Sequence, residues 1–152
     1  MSSETSNVST TGPVRTIPVA AGLVFHEGRL LITRRPPGSH LAGCWEFPGG
    51  KREPGESWES CLQRELQEEL AIEVEVVRLF SEVTHAYPEK IVHLRFFVCR
   101  WLSGTPRAIG CSDLKWVTAT ELAAHEFPPA DREILLKLSG AEEFVVQRGK
   151  SL

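Results

Sequence analysis

From Ile17 onward the chain is a series of short apolar runs broken by Gly, Pro and charged turns. "IPVAAGLVF" has the pattern of a strand, "HEG" (His26–Gly28) that of a turn, and "RLLITRR" that of a second strand ending in two arginines. "PPGSHLAG" is loop by its Pro and Gly content. "CWEFP" predicts a short aromatic strand that stops at Pro48. Gly49 and Gly50 follow it, and there a positive φ or a close approach to a ligand has no steric cost.

A helix is expected from Ser57, a good N-cap residue, with Glu59 favourably placed in the first turn. Leu62, Leu66 and Leu70 recur every four residues and mark its buried stripe. "IEVEVVRLFSEV" alternates apolar and polar positions as a half-buried strand does. "IVHLRFFVCRW" is a second long strand, with "AYPEK" as the turn between them. "LKWVT" reads as a short strand, "ATELAAH" as a short helix and "PPADREILLKL" as a C-terminal helix with Pro near its first turn. The prediction is a single α/β domain over residues 17–140 built on a mixed sheet, with a disordered leader at 1–16 and a tail at 141–152.

Composition narrows the functional classes. At 152 residues the chain is long enough for one real core, and 41% hydrophobic with 24% charged residues is an ordinary globular balance. A net charge of −3 offers no basic field for duplex nucleic acid, but leaves room for a small anion held through local cations or a bound metal. Cys44, Cys61, Cys99 and Cys111 form no C-x-x-C pair, which argues against zinc and for reduced thiols in a cytosol, with a single bridge left open. The polar start "MSSETSNVSTTGPVRT" lacks the apolar core of a signal peptide, and no run of about 18 apolar residues exists to span a membrane. The expected setting is cytoplasmic, as a monomer or homodimer.

The candidate chemistry lies in "GGKREPGESWESCLQRELQEEL". On a helix, positions i, i+3 and i+4 share a face, so Glu65, Glu68 and Glu69 converge. Arg64 can pair with Glu68 at i+4, which relieves one carboxylate. Grouped carboxylates beside a glycine carbonyl suit hard divalent cations, Mg²⁺ or Mn²⁺, which prefer oxygen ligands. The competing reading is a solvated polar helix face, and the spacing decides between the two.

Gly50, five residues, Glu56, seven residues, then Arg64-Glu65-Leu66-Gln67-Glu68-Glu69 resembles the Nudix box. The box ordinarily closes with Gly and an apolar residue; here Ala71 and Ile72 stand there. "ITRRP", "WEFPGGK", Tyr87-Pro88 and "FPPAD" are similar, in order, to the MutT branch, over about residues 17–138. The resemblance implies an α/β/α sandwich with a central mixed sheet and the catalytic helix after the Gly-Gly loop. It implies metal-dependent hydrolysis of a small-molecule nucleoside triphosphate to monophosphate and pyrophosphate, with 8-oxo-dGTP pool sanitation placed first.

Carried over position by position, the metal ligands are the Gly49 carbonyl and the carboxylates of Glu65, Glu68 and Glu69. Glu65 helps deprotonate the attacking water, with Glu68 as the alternative. Glu56 and Arg64 hold the loop against the helix. Many relatives add a glutamate before the "WV" strand; without gaps that position is Gly110, with Asp113 nearby but out of register. Arg35 meets the nucleotide or sits in a surface ion pair; Phe47 lines the base pocket or only packs; Lys90 is basic where the branch often is, or merely solvated. Asp131 occupies the "FPPA-x" position, where 8-oxoguanine-specific members carry Asn. It reads the base or faces the helix dipole. An Asp there also resembles CTP and modified-pyrimidine pyrophosphohydrolases. From another class, a non-catalytic Nudix regulator that senses nucleotide is the alternative, and the retained glutamates argue against it.

Overall fold

The computed structural model describes residues 14–145. Its strands are β1 (Arg15–His26), β2 (Arg29–Arg34), β3 (Trp45–Glu46), β4 (Gly49–Lys51), β5 (Glu73–Ala86), β6 (Lys90–Ser103) and β7 (Asp113–Val117). Its helices are α1 (Trp58–Leu70), α2 (Ala119–Leu122) and α3 (Arg132–Leu138), with 3-10 turns at Pro129–Asp131 and Glu142–Phe144.

All seven strands form one mixed sheet. β1 runs parallel to β6 from Arg15 beside Lys90 to Phe25 beside Arg100, while its other edge takes β4 and then β2, both antiparallel. β5 is antiparallel to β6, and β2 also carries β3 and β7. Side chains alternate across a strand, and the two faces carry two separate cores. Ala20, Val24, Phe97 and Cys99 face the Leu62, Leu66 and Leu70 stripe of α1. Ala21, Leu23, Phe96 and Val98 face Phe47, Leu122, Ile134 and Leu138 under α2 and α3. The three stripe leucines are wholly buried, which stabilises the fold by roughly 1.5–3 kcal/mol each. The expected α/β/α layering is therefore present, with α1 pinned on one face.

The ends of α1 follow from local chemistry. The Ser57 side chain accepts the Ser60 N–H at 3.0 Å, as the N-cap reading required. The helix stops at Ala71, whose φ of 60° is left-handed and whose N–H donates to the Gln67 carbonyl. That conformation explains why the box ordinarily has Gly there.

Some boundaries differ from the sequence expectation. β1 starts at Arg15, because β6 offers Lys90 and Ile91 as parallel partners for Arg15 and Thr16. Residues 1–13 of the expected leader and 146–152 of the expected tail lie outside the described residues. The start of the tail is docked: Phe144 meets Phe25 edge-on at 5.2 Å, and Glu143 pairs with Arg78. Pro128 and Pro129 turn the start of the C-terminal helix into a separate 3-10 turn.

All four cysteines are free. Burial pushes the Cys99 thiol up to about 12, and burial with the charge of Glu56 pushes Cys61 up to about 11, so neither is a ready nucleophile. Among the described residues no helix is long and apolar enough to cross a membrane.

Candidate active site

β4 is held to β1 with Gly49 beside Ala21 and Gly50 beside Ala20, which presses the glycine turn against both sheet and helix. A Cβ at position 49 would stand 1.9 Å from the Ala20 carbonyl oxygen, and one at 50 would stand 2.2 Å from Glu65 Cδ. At 49 the obstacle is backbone and only glycine fits, whereas at 50 it is the Glu65 carboxylate, which a side chain would push aside. The Glu65 carboxylate therefore rests directly on the backbone of the turn.

Arg64 organises the surrounding acids. Its Nε and Nη2 bind both oxygens of Glu56, at 2.6 and 3.0 Å, and Nη2 also donates to the Lys51 carbonyl at 3.2 Å. Its Nη1 donates to Glu65 at 3.0 Å and Glu68 at 3.2 Å. The sequence reading allowed Arg64 one carboxylate; the planar, multi-donor guanidinium reaches three. Glu56 also accepts the Glu53 N–H, and these bonds hold its carboxyl down at about 2. Arg64 is correspondingly held in its charged form by Glu56. Arg64 and Glu56 thus fasten the loop to the helix.

The three helix carboxylates do not converge equally. Glu65 is largely buried, and that burial pushes its carboxyl up against the opposing pull of Arg64. Glu69 is pushed up to about 8 by burial and by the charges of Glu65 and Glu46, with a bond from the Gly49 backbone acting the other way. Glu68 is exposed and turned to Arg64. Among the described residues no three His, Cys, Asp or Glu side chains form a ready-made metal-ligating group. Arg64 draws Glu65 and Glu68 to one of its nitrogens, while Glu69 faces Glu65 and Glu46 without a bond to Arg64.

Arg35, Phe47, Gly49, Gly50, Glu69, Lys90 and Asp131 line one cavity of about 340 Å³. Phe47 and Phe96 make an apolar wall; Phe47 also stacks on Phe127 at 5.0 Å, so it both packs and lines. Arg35 donates to Glu46 at 2.9 Å and to the His40 carbonyl. Lys90 sits over the Tyr87 ring at 5.8 Å. Asp131 is buried at the N-cap position of α3, and its side chain makes no capping bond there. Burial and the charge of Glu46 push its carboxyl up to about 7. The Trp45 N–H donates to the Glu126 carbonyl at 2.8 Å and ties the segment before Asp131 to β3.

Asp113 is exposed, accepts its neighbour Leu114 N–H at 2.8 Å, and is absent from the cavity lining. Sequence reading missed Glu46, Tyr87 and His40, all of which line the cavity. Glu46 is the most consequential, because its burial raises its own carboxyl and its charge reaches both Glu69 and Asp131. Its one available signal was a lone acid between two aromatics in "WEFP".

The residues fit a hard divalent cation. Gly50 leaves a cradle that a Cβ would fill, and Glu65, Glu69 and Glu46 crowd negative charge opposed by Arg35 and Arg64. Oxygen donors with excess negative charge are what Mg²⁺ and Mn²⁺ select.

Comparison with known proteins points the same way. A family model described as NUDIX domain matches residues 20–137. An 8-oxo-dGTP diphosphatase of Escherichia coli is 33% identical over 126 residues, 82% of this chain and 98% of that protein. A CTP pyrophosphohydrolase of the same organism is 35% identical over 122 residues, 80% of this chain and 90% of that protein. The solution structure of the E. coli ORF135 protein superposes with a TM-score of 0.72 at 34% identity, covering 84% of this chain and 93% of that one.

Proposed function

The chain belongs to the NUDIX family of metal-dependent hydrolases, and on that premise we propose that it cleaves 8-oxo-dGTP to 8-oxo-dGMP and pyrophosphate. The observation that carries this reading is one cavity with Asp131 and Arg35 among its lining residues together with the Gly49–Gly50 turn and Glu69. The carboxyl proposed to read the base and one acid of the catalytic helix, Glu69, thus share a space of nucleotide scale.

The Gly49 carbonyl and the carboxylates of Glu65, Glu68 and Glu69 would hold the cation, taken to be Mg²⁺ with Mn²⁺ able to replace it. When bound, the cation neutralises phosphate charge and acidifies water. Glu65 accepts the proton as water oxygen bonds to phosphorus and the bridging P–O bond breaks, releasing pyrophosphate. Glu65 is favoured over Glu68 as that base because it is sheltered above Gly50 with a raised carboxyl, whereas Glu68 is exposed and tied to Arg64. Arg64 and Glu56 keep Glu65 oriented, and Arg35 and Lys90 meet phosphate oxygens. Phe47 supplies a face for the base.

A second reading, CTP or a modified pyrimidine triphosphate, is favoured by the Asp at position 131 and by the CTP pyrophosphohydrolase relative. A carboxyl group can read the cytosine amine as well as the guanine donors. The enzyme is placed in the cytoplasm as a monomer or homodimer acting on free nucleotide, without duplex nucleic acid.

The test is a product assay with Mg²⁺ over 8-oxo-dGTP, dGTP, CTP, dCTP and 5-methyl-dCTP, beside a Glu69→Gln variant. Preference for 8-oxo-dGTP with pyrophosphate release supports the first reading. Preference for a pyrimidine keeps the reaction and replaces the substrate. No turnover of any of them, with nucleotide still bound, would sink the triphosphate reading.

A further inference from the structure

The segment between β6 and β7 lies across the C-terminal end of α1. The Arg107 N–H donates to the Leu70 carbonyl at 2.9 Å, and the N–H groups of Ile109 and Gly110 both donate to the Glu69 carbonyl at 3.1 Å. The last carbonyls of a helix have no helical partner, and these two find theirs here. Contact is tightest at Gly110, where a Cβ would stand 3.0 Å from Glu69 Cγ, 3.4 Å from its Cβ and 3.5 Å from its Cα. Gly110 does not have a positive φ, so the position demands space and not an unusual backbone. The neighbouring Cys111 thiol feels the charges of Glu69 and Glu46, which places the same segment beside both acids.

We propose that Gly110 is a positioning residue: its missing side chain lets residues 107–110 lie flat on Glu69 and fix the stem of that carboxylate for the divalent cation. The proposal rests on the reading of Glu69 as a metal ligand. At this position the chain contributes placement and no ligand of its own. A side chain at 110 enters only by displacing Cγ of Glu69, which carries the carboxylate. Adding a carboxylate there therefore works against the site.

The experiment is Mn²⁺ binding to the full chain without nucleotide, read by electron paramagnetic resonance of the free ion. Gly110→Ala and Gly110→Glu are compared with the wild type. Gly140→Ala serves as control, because a Cβ there meets nothing within 4 Å. Gly110→Ala is expected to weaken Mn²⁺ binding about tenfold, the usual effect of disturbing a group that orients a ligand. Gly110→Glu is expected to bind more weakly still, while Gly140→Ala matches the wild type and the metal-free Tm of Gly110→Ala stays close to wild type. Tighter binding by Gly110→Glu, or unchanged binding by Gly110→Ala, overturns the proposal. A loss of binding matched by a fall in metal-free Tm, absent from the control, also overturns it. A wild-type affinity that Glu69→Gln leaves unchanged overturns the ligand reading itself, and the proposal with it.

Discussion

Gly50 and Glu65 share a space that one more carbon atom would close, since a Cβ at position 50 would stand 2.2 Å from Cδ of Glu65. Gly50 is fixed by pairing with Ala20, and Arg64 holds the Glu65 carboxylate in place, so a Cβ enters only by swinging that carboxylate out of its seat. Gly50→Ala is therefore expected to lower kcat/KM at least about 100-fold, the scale of effect of a misplacement near 1 Å. The same overpacking should cost about 1–3 kcal/mol of stability. Kinetics on the preferred triphosphate, beside a thermal melt, check both; activity within threefold of wild type would mean the Glu65 carboxylate does not need this seat.

Arg64 makes contacts that a lysine cannot reproduce, because it grips both oxygens of Glu56 while reaching Glu65, Glu68 and the Lys51 carbonyl. Arg64→Lys is expected to lower kcat/KM about 10- to 100-fold at unchanged fold. A kinetic comparison with circular dichroism of both proteins separates that outcome from misfolding.

Glu56 gives the same network a pH signature. Its folded carboxyl is held at about 2, below the ordinary 4.5, so its stabilising contribution is present above 4.5 and is lost as pH falls through about 2. Glu56→Gln should melt below wild type at pH 7, with the gap narrowing from about pH 4.5 downward. A gap that stays constant to pH 2 would show that the charge of Glu56 is not what stabilises the loop.

Ala71 marks the one departure from the box, and it adopts the left-handed φ of 60° that favours glycine. Ala71→Gly removes a conformational cost of roughly 1–2 kcal/mol, partly offset by the greater freedom of glycine in the unfolded chain. The expected net gain is about 0.5–1 kcal/mol in denaturant unfolding, with kcat/KM unchanged. A destabilised variant would mean that the Ala71 side chain contributes packing that outweighs its strain.

What was legible in the sequence was local or periodic. The Leu62, Leu66 and Leu70 stripe, the Ser57 cap and the Gly-Gly turn specify α1 and its seat without reference to distant residues. The cavity residues Arg35, Phe47, Lys90 and Asp131 were found through motif order, and the fold does bring them together. Glu46 was not legible, because a two-residue strand has no period and its neighbours Arg35, Asp131 and Glu69 reach it only through tertiary packing. Helix spacing put Glu68 beside Glu65 and within reach of Arg64 at i+4, but the reach of the same guanidinium to Glu65 and Glu56 depends on how the loop folds back on the helix. The early start of β1 likewise depends on β6, which lies far along the chain.

If Asp131 reads the base as proposed, its effects on stability and on catalysis are expected to have opposite pH dependence. Burial and Glu46 raise its carboxyl from 3.8 to about 7, so the stability linked to its protonated form is complete below about pH 3.8 and is lost as pH rises through 7. Asp131→Asn removes that loss. The variant should be more stable than wild type at pH 8, by at most about 4 kcal/mol, with the advantage fading toward pH 4. Catalysis should run the other way. The ionised carboxyl accepts hydrogen bonds only and so suits the N1–H and N2–H₂ donors of guanine, whereas the neutral acid and the Asn amide each also offer a donor. The ratio of wild-type to Asp131→Asn kcat/KM on 8-oxo-dGTP is therefore expected to rise through pH 7. A ratio that falls would assign base reading to the neutral acid, and a ratio flat from pH 5.5 to 8.5 would leave Asp131 a buried acid without a part in choosing the base.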